Sequence, residues 1–350
     1  PASAANKRIW ALRQPVGVTA IITPWNFPCA MITRKVGPAL AAGCTVVIKP
    51  AKQTPLTAIY LAKLAQEAGI PAGVINVVTS GKASIIADTW LEDQRVRKIS
   101  FTGSTEIGKL LMRKSADQMK RISLELGGHA PVLVFSDADI DKAITGAMAC
   151  KFRNAGQACI AGNRFYVEHS VMGEFTDKLV QAVKELKVGC GWEEGVNVGP
   201  LIDEPSVQKV ESHVSDAVEK GAKVLTGGKR MKDRFFEPTV ITGVTQDMVI
   251  AHEETFGPVI PVITFSSEEE AIRMANDSPY GLAAYVFTKD LSRAIRVSES
   301  LQYGIIGLND GAPSTAQAPF GGMKESGIGR EGGLWGIAEY LEVKYVSVEL

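Results

Sequence analysis

Apolar and polar positions along the chain fall into two periods that take turns. Residues 16–22 form a β-branched apolar run closed by Pro24, and residues 44–48 repeat it before Pro50, the pattern of strands buried on both faces. Residues 31–42 between them read as a helix. Thr54-Pro55 opens a second helix, apolar at Leu56, Ile59, Tyr60, Leu64 and Ala68 and closed by Gly69 and Pro71. A strand over 74–78, a helix over 84–90 and a strand over 98–101 follow. After Gly127-Gly128 the alternation resumes, with strands over 131–135 and 164–168 and helices over 140–151 and 172–186. Strands and helices in strict alternation predict an α/β fold of parallel βαβ units, whose ligands sit beyond the carboxyl ends of the strands.

Length adds a division to that picture. At 350 residues the chain exceeds the roughly 250–300 at which one core stops growing, so two domains are expected, with a boundary near residue 128. Lys plus Arg and Asp plus Glu number 38 each, so no overall field recruits nucleic acid or an anionic membrane surface. No apolar run reaches the length of a membrane span. The start Pro1-Ala2-Ser3 carries no leader pattern. Five cysteines (Cys29, Cys44, Cys150, Cys159 and Cys190) make an odd count without a CxxC pair. They read as reduced thiols rather than disulfides or a zinc site, and point to the cytoplasm.

Four segments carry candidate chemistry. Phe101-Thr102-Gly103-Ser104-Thr105 joins a strand to a helix, where Gly103 and the helix N-terminus suit a phosphate, although Ser104 serves equally as an ordinary cap. Lys49 at another strand's end would meet a ribose hydroxyl or phosphate, unless it is only solvated. Cys159 lies in a stretch of small residues, Asn154-Ala155-Gly156-Gln157-Ala158-Cys159, that leaves it reachable; a cysteine taken singly is more often a small buried hydrophobe. Glu125 in Leu124-Glu125-Leu126-Gly127-Gly128 offers a carboxylate partner. Asn26, between Pro24 and Pro28, is placed as a donor toward developing negative charge, or as a cap.

Taken together these segments resemble the aldehyde dehydrogenase superfamily, whose motifs occur in order: PWNFP (24–28), KPA with TP (49–55), FTGSTEIG (101–108), LELGG (124–128), GQAC (156–159), EETFGPV (253–259) and NDSPYGLAA (276–284). The stretches over 30–35, 319–332 and 336–345 resemble its succinate-semialdehyde dehydrogenase branch. The resemblance implies a Rossmann-like parallel-sheet cofactor domain over 16–127, an α/β catalytic domain over 128–320 and a C-terminal return over 321–350. A small oligomerisation sheet would join residues 1–15 to the last strand, giving a homodimer or homotetramer. The family's long segment before PWNFP is mostly absent, which is expected to leave apolar surface open.

By the same resemblance Cys159 is the nucleophile, Asn26 the oxyanion donor and Glu125 the general base. Trp25, Lys49, Lys52, Gly103, Ser104, Leu126, Glu254 and Phe256 contact NADP or NAD. Lys52 stands where NAD-preferring members often have Glu, so a 2′-phosphate is not repelled and NADP is favoured. Arg34, Arg153 and Ser314 match the residues that bind the substrate's distal carboxylate, a role for which the planar fork of guanidinium is suited. No metal is implied. The rival readings are a dehydrogenase of another aldehyde such as glutarate semialdehyde, and a cofactor-binding or assembly protein without turnover. A cysteine hydrolase would want a His base beside Cys159, and none of His129, His169, His213 or His252 lies in a motif that supplies one.

Overall fold

The computed structural model describes residues 4–350. Strand β1 (Lys7–Pro15) leads into β2 (Val18–Ile22), α1 (Ala30–Ala41), β3 (Val46–Lys49), α2 (Pro55–Glu67), β4 (Ile75–Val77), α3 (Ala83–Glu92), β5 (Val96–Thr102), α4 (Thr105–Ser115) and β6 (Arg121–Glu125). Of these, β2, α1, β3, α2, β4, α3 and β5 begin and end within about two residues of where periodicity puts them. Strands pair in parallel in the order β6-β5-β2-β3-β4. Successive side chains of a strand face opposite ways. Ile21 therefore packs with Ile32 and Ala58 from α1 and α2, and its neighbour Ala20 packs with Trp90 and Leu111 from α3 and α4. Chain order reverses at β2, with β3 and β4 on one side and β5 and β6 on the other. That reversal opens a crevice at the carboxyl ends of β2 and β5. The apolar face of α2 stays open: Leu56 is 76% exposed and Tyr60 60%.

Beyond Gly127 a second sheet forms from β7 (Ala130–Val134), α5 (Ile140–Phe152), β8 (Gly162–Glu168), α6 (Met172–Lys184), α7 (Glu204–Glu219), β9 (Lys223–Thr226), β10 (Thr239–Thr242), β11 (Val259–Phe265), α8 (Glu268–Asn276), β12 (Tyr280–Gly281), β13 (Ala283–Phe287), α9 (Leu291–Ser300) and β14 (Ile305–Leu308). Its order is β14-β13-β7-β8-β11-β10-β9, parallel except at β9. Near-continuous apolar runs such as Val132-Leu133-Val134, all fully buried, suit a sheet covered on both faces. Arg164 of β8 is 1% exposed, and its guanidinium donates to the carbonyls of His129, Met274 and Ala275 and to the Tyr303 hydroxyl. Positive charge is thus met at the carboxyl end of α8, where the helix dipole favours it. A two-residue strand β15 (Met323–Lys324) pairs antiparallel with β12.

The chain then returns to the first sheet. Strand β16 (Gly327–Ile328) pairs antiparallel with β6, Gly327 opposite Glu125. Gly327 has φ +140°, and a Cβ there would fall 1.9 Å from the Leu124 carbonyl oxygen, so only glycine passes. After α10 (Gly333–Ala338), β17 (Leu341–Glu349) pairs antiparallel with β1 from Lys7↔Glu349 to Pro15↔Leu341. One packed unit holds the residues up to 126 together with 315–321 and 327–350, and the other holds 127–314 with 322–326.

Candidate active site

In the first unit, four strand ends share one edge of the sheet. Ile22 pairs with both Lys49 and Phe101, and Thr102 pairs with Glu125. The loops leaving those strands carry Trp25 and Asn26 after β2, Lys52 after β3, Gly103 and Ser104 after β5, and Leu126 after β6. Trp25 and Asn26 are half-buried, and Lys52 is exposed. Lys49 is 6% exposed, donates to the Pro50 carbonyl, and burial holds its ammonium below the ordinary lysine range. The Ser104 hydroxyl accepts from the Ile107 N–H, so it does cap α4, which leaves the backbone amides of that turn as the groups suited to an anion. Leu126 is buried against Gly108 of α4.

Glu125, the last residue of β6, is 4% exposed, and its Oε2 finds no hydrogen-bond partner among the described residues. Burial pushes its pKa well above the usual carboxylate range, and the negative charge of Glu331 adds to that; Lys35, Arg330 and Arg34 pull it back. Glu331 is fixed by a two-way backbone pairing with Phe320, its N–H and carbonyl each bonding at 2.7 Å. Its carboxylate accepts from Lys35, which is 1% exposed on α1. Arg34 on the same helix lies 3.6 Å from Glu331 and stacks over the Phe320 ring at 4.5 Å. A quarter of its side chain remains exposed.

In the second unit the chemistry gathers at the opposite, amino ends of the strands. Cys159 lies between α5 and β8, on a turn whose Asn154, Ala155 and Gly156 all have positive φ (53°, 56° and 75°). Such a run in non-glycine residues is strained and needs outside support. Gln157 supplies it, donating to the Pro200 carbonyl and accepting from the Ile202 N–H at 2.9 Å. Beyond the cysteine, the Tyr285 hydroxyl donates to the Ile160 carbonyl at 2.6 Å. Cys159 is partly exposed, whereas Cys44 and Cys150 are buried and Cys29 and Cys190 lie on the surface. Burial pushes the Cys150 thiol up to about 12, so it stays inert.

The loop before β11 carries Glu254 and Phe256, both half-buried, with Phe256 at φ 53°. The Gly128 N–H donates to Glu254 at 3.3 Å. Burial raises the Glu254 pKa to about 7 against that bond and the pull of Lys209 and Lys151. Lys151 is itself fully buried, donates to Asn163 at 2.8 Å, and is lowered to about 7 by burial. Arg153, exposed at the end of α5, belongs to this unit with Ser314. The loop that carries Ser314 packs its Gly311 against the backbone of Gly146, two turns before Arg153 on α5.

Three charged residues of these surroundings escape a reading by motif: Lys35, Glu331 and Lys151. Lys35 had a signal, since it falls on the buried face of α1 with Met31, Ile32 and Ala39. Glu331 had none, because its partner lies 296 residues away. No group of three or more His, Cys, Asp or Glu side chains able to hold a metal occurs among the described residues. No helix among them is long and apolar enough to cross a membrane.

Comparison with known proteins agrees with the residue pattern. The model of the aldehyde dehydrogenase family matches residues 1–346. The chain is 55% identical to the NADP(+) succinate-semialdehyde dehydrogenase of Escherichia coli K12 over all of its own length and 73% of that protein's. It is 54% identical to the glutarate-semialdehyde dehydrogenase of Pseudomonas putida, again over 100% of this chain and 73% of that one. A crystal structure of an aldehyde dehydrogenase from Brucella melitensis superposes with a TM-score of 0.99 at 58% identity, covering 100% of this chain and 72% of that one. With its motifs in order, its parallel-sheet fold and a likeness to such enzymes that spans this chain and 72–73% of theirs, the chain belongs to the aldehyde dehydrogenase family.

Proposed function

We propose that the chain oxidises succinate semialdehyde to succinate, with Cys159 as nucleophile and NADP as the preferred oxidant over NAD. The observation that carries this reading is the turn of Cys159, a partly exposed thiol on strained backbone pinned from both sides. Rigid placement of a nucleophile is what covalent catalysis needs. The dinucleotide fits the residues present. The first sheet has a crevice at its switch point, Lys49 and the amides opening α4 suit phosphate and ribose oxygens, and Glu254 can accept from ribose hydroxyls. Lys52, exposed after β3, suits a 2′-phosphate.

The Cys159 thiol gives up its proton by way of Glu125 to solvent, and its sulfur attacks the aldehyde carbon; a C–S bond forms as the C=O π bond breaks and the oxygen takes negative charge. Asn26 and the Cys159 backbone N–H donate to that oxygen. A dinucleotide held by Lys49, the amides opening α4 and Glu254 would supply the two-electron oxidation at this carbon, which would leave Cys159 carrying the acyl group as a thioester. Glu125 then takes a proton from water whose oxygen attacks the thioester; the C–S bond breaks, releasing the acid and restoring the thiol. A carboxylate with a raised pKa suits this role, because a base works best when its pKa lies near the working pH. Arg34, Arg153 and Ser314 receive the substrate's distal carboxylate.

The E. coli relative named for succinate semialdehyde and the P. putida relative named for glutarate semialdehyde are nearly equally similar, so the five-carbon semialdehyde is the second reading. The ribbon of β1 and β17 exposes Ile9, Trp10, Leu12, Val343 and Tyr345, and we assign it to a contact between copies of the chain in a homodimer or homotetramer. Its free thiols suit the reducing cytoplasm.

Reduced-nicotinamide absorbance with succinate or glutarate semialdehyde, and with NADP or NAD, tests the reading. Turnover that disappears in Cys159→Ala and drops in Glu125→Gln is expected. A folded chain that turns over none of the four combinations would sink it.

A further inference from the structure

Helix α7 presents one row of side chains, three residues apart, to the segment that leads into β11. The Asp216 carboxylate accepts from the Val249 N–H at 2.7 Å. His213 stands a turn earlier. Val210 comes next, its Cγ2 2.4 Å from where a Cβ on Gly257 would lie. His213 is 2% exposed and reaches both neighbours of Glu254. Its Nδ1 lies 3.1 Å from the Thr255 hydroxyl and its Nε2 3.6 Å from the Glu253 carboxylate. The Glu254 carboxylate accepts from the Gly128 N–H. Two residues after it, Phe256 occupies the left-handed region, which a bulky side chain holds only when its surroundings force it.

We propose that His213 is the positioning residue of the Glu254–Phe256 turn, fixing through Thr255 and Glu253 the carboxylate and ring that meet the nicotinamide end of the dinucleotide. The imidazole touches neither nucleotide nor aldehyde. Its effect therefore falls on nucleotide affinity and not on thiol chemistry. Burial lowers its pKa to about 4, so near neutral pH the ring is uncharged and acts by hydrogen bonding rather than by an ion pair with Glu253. This inference rests on the assignment of Glu254 to the dinucleotide made above.

The test uses the full chain and NADP and NAD as probes. Nucleotide dissociation constants are measured by calorimetry for the unaltered chain, His213→Leu, His213→Asn, Thr255→Val and the Leu/Val double variant. Alkylation of Cys159 by iodoacetamide and the melting temperature serve as independent readouts. His213→Leu is expected to weaken nucleotide binding about tenfold while alkylation continues. Asparagine, which can still bond the Thr255 hydroxyl, should restore most of the loss, and the double variant should be no worse than either single one. Unchanged nucleotide affinity in His213→Leu overturns the proposal. So does equal loss of affinity, alkylation and melting temperature in all variants, Asn included, which would make His213 a packing residue only. An unaltered chain that binds neither nucleotide fails the reading of Glu254 itself, and this inference with it.

Discussion

Gly128 lies against Cys159 so closely that a Cβ on it would stand 2.4 Å from the cysteine's carbonyl oxygen. Real Cβ atoms do not approach a backbone oxygen that nearly, so any side chain at 128 displaces the backbone of Cys159. Gly128→Ala is expected to lower kcat by about 10²-fold, the effect of moving a reacting group by an ångström, and to destabilise by about 1–3 kcal/mol through overpacking. Steady-state rates combined with a Cys159 thiol titration check it; unchanged kcat would show that the loop has room to give.

If Glu125 is the base proposed above, the pH dependence of turnover is expected to follow from its neighbours. Glu331 raises its pKa and Lys35 lowers it. Glu331→Gln removes the repulsion and leaves the Lys35 ammonium without its anionic partner, and both changes favour ionised Glu125. The acid limb of the kcat profile should therefore move to lower pH, and Lys35→Met should move it up. The sign is the same for stability. With its folded pKa raised, Glu125 stabilises fully below its unfolded pKa and loses that contribution as pH rises through the folded value. A profile in Glu331→Gln that does not move, or moves up, contradicts the coupling.

Substrate choice is expected to reside in Arg153 more separably than in Arg34. Arg34 also pulls Glu125 toward the charged form and touches Glu331 and Phe320, so its loss alters the base as well. Arg153→Ala should raise KM for succinate semialdehyde about 10–100-fold, the worth of one or two charge-assisted hydrogen bonds. An uncharged aldehyde of similar length should be unaffected. Equal losses on both substrates would remove Arg153 from the anchor.

Nucleotide preference is expected to depend on Lys52, whose exposure makes it replaceable without harm to the core. Lys52→Glu should lower the ratio of kcat/KM for NADP over NAD by at least about tenfold, as attraction for a 2′-phosphate becomes repulsion. The melting temperature should stay put.

Much of this arrangement can be read from local pattern, because βαβ alternation forces each loop after a strand onto a common edge. Asn26, Lys49, Gly103 and Glu125 follow or end β2, β3, β5 and β6, and parallel pairing then brings those ends together. What escapes is set by distant partners. Gly327-Ile328 is too short to show a strand period, yet its pairing with β6 begins the return that brings Glu331 to Lys35. His213 lies in no sequence motif, and its place is seen only once the 249–257 segment is found lying along α7. The apolar positions of α2 show the converse, a helical pattern without burial, since of its residues only Ala58 is buried.

The two sheets use opposite edges, carboxyl ends in the first unit and amino ends in the second, and this divides the molecule's freedom to vary. Turns at the unused edges, such as 93–95 and 116–120 in the first unit or 266–267 and 288–290 in the second, connect the same strands without approaching any candidate chemical group along the chain. Of these, the exposed residues 94–95 and 266–267 are the places where insertions or affinity tags should be tolerated, whereas Lys120 and Thr288 are buried and hydrogen-bonded. A library confined to the opposite edges would instead sample new chemistry on an unchanged scaffold.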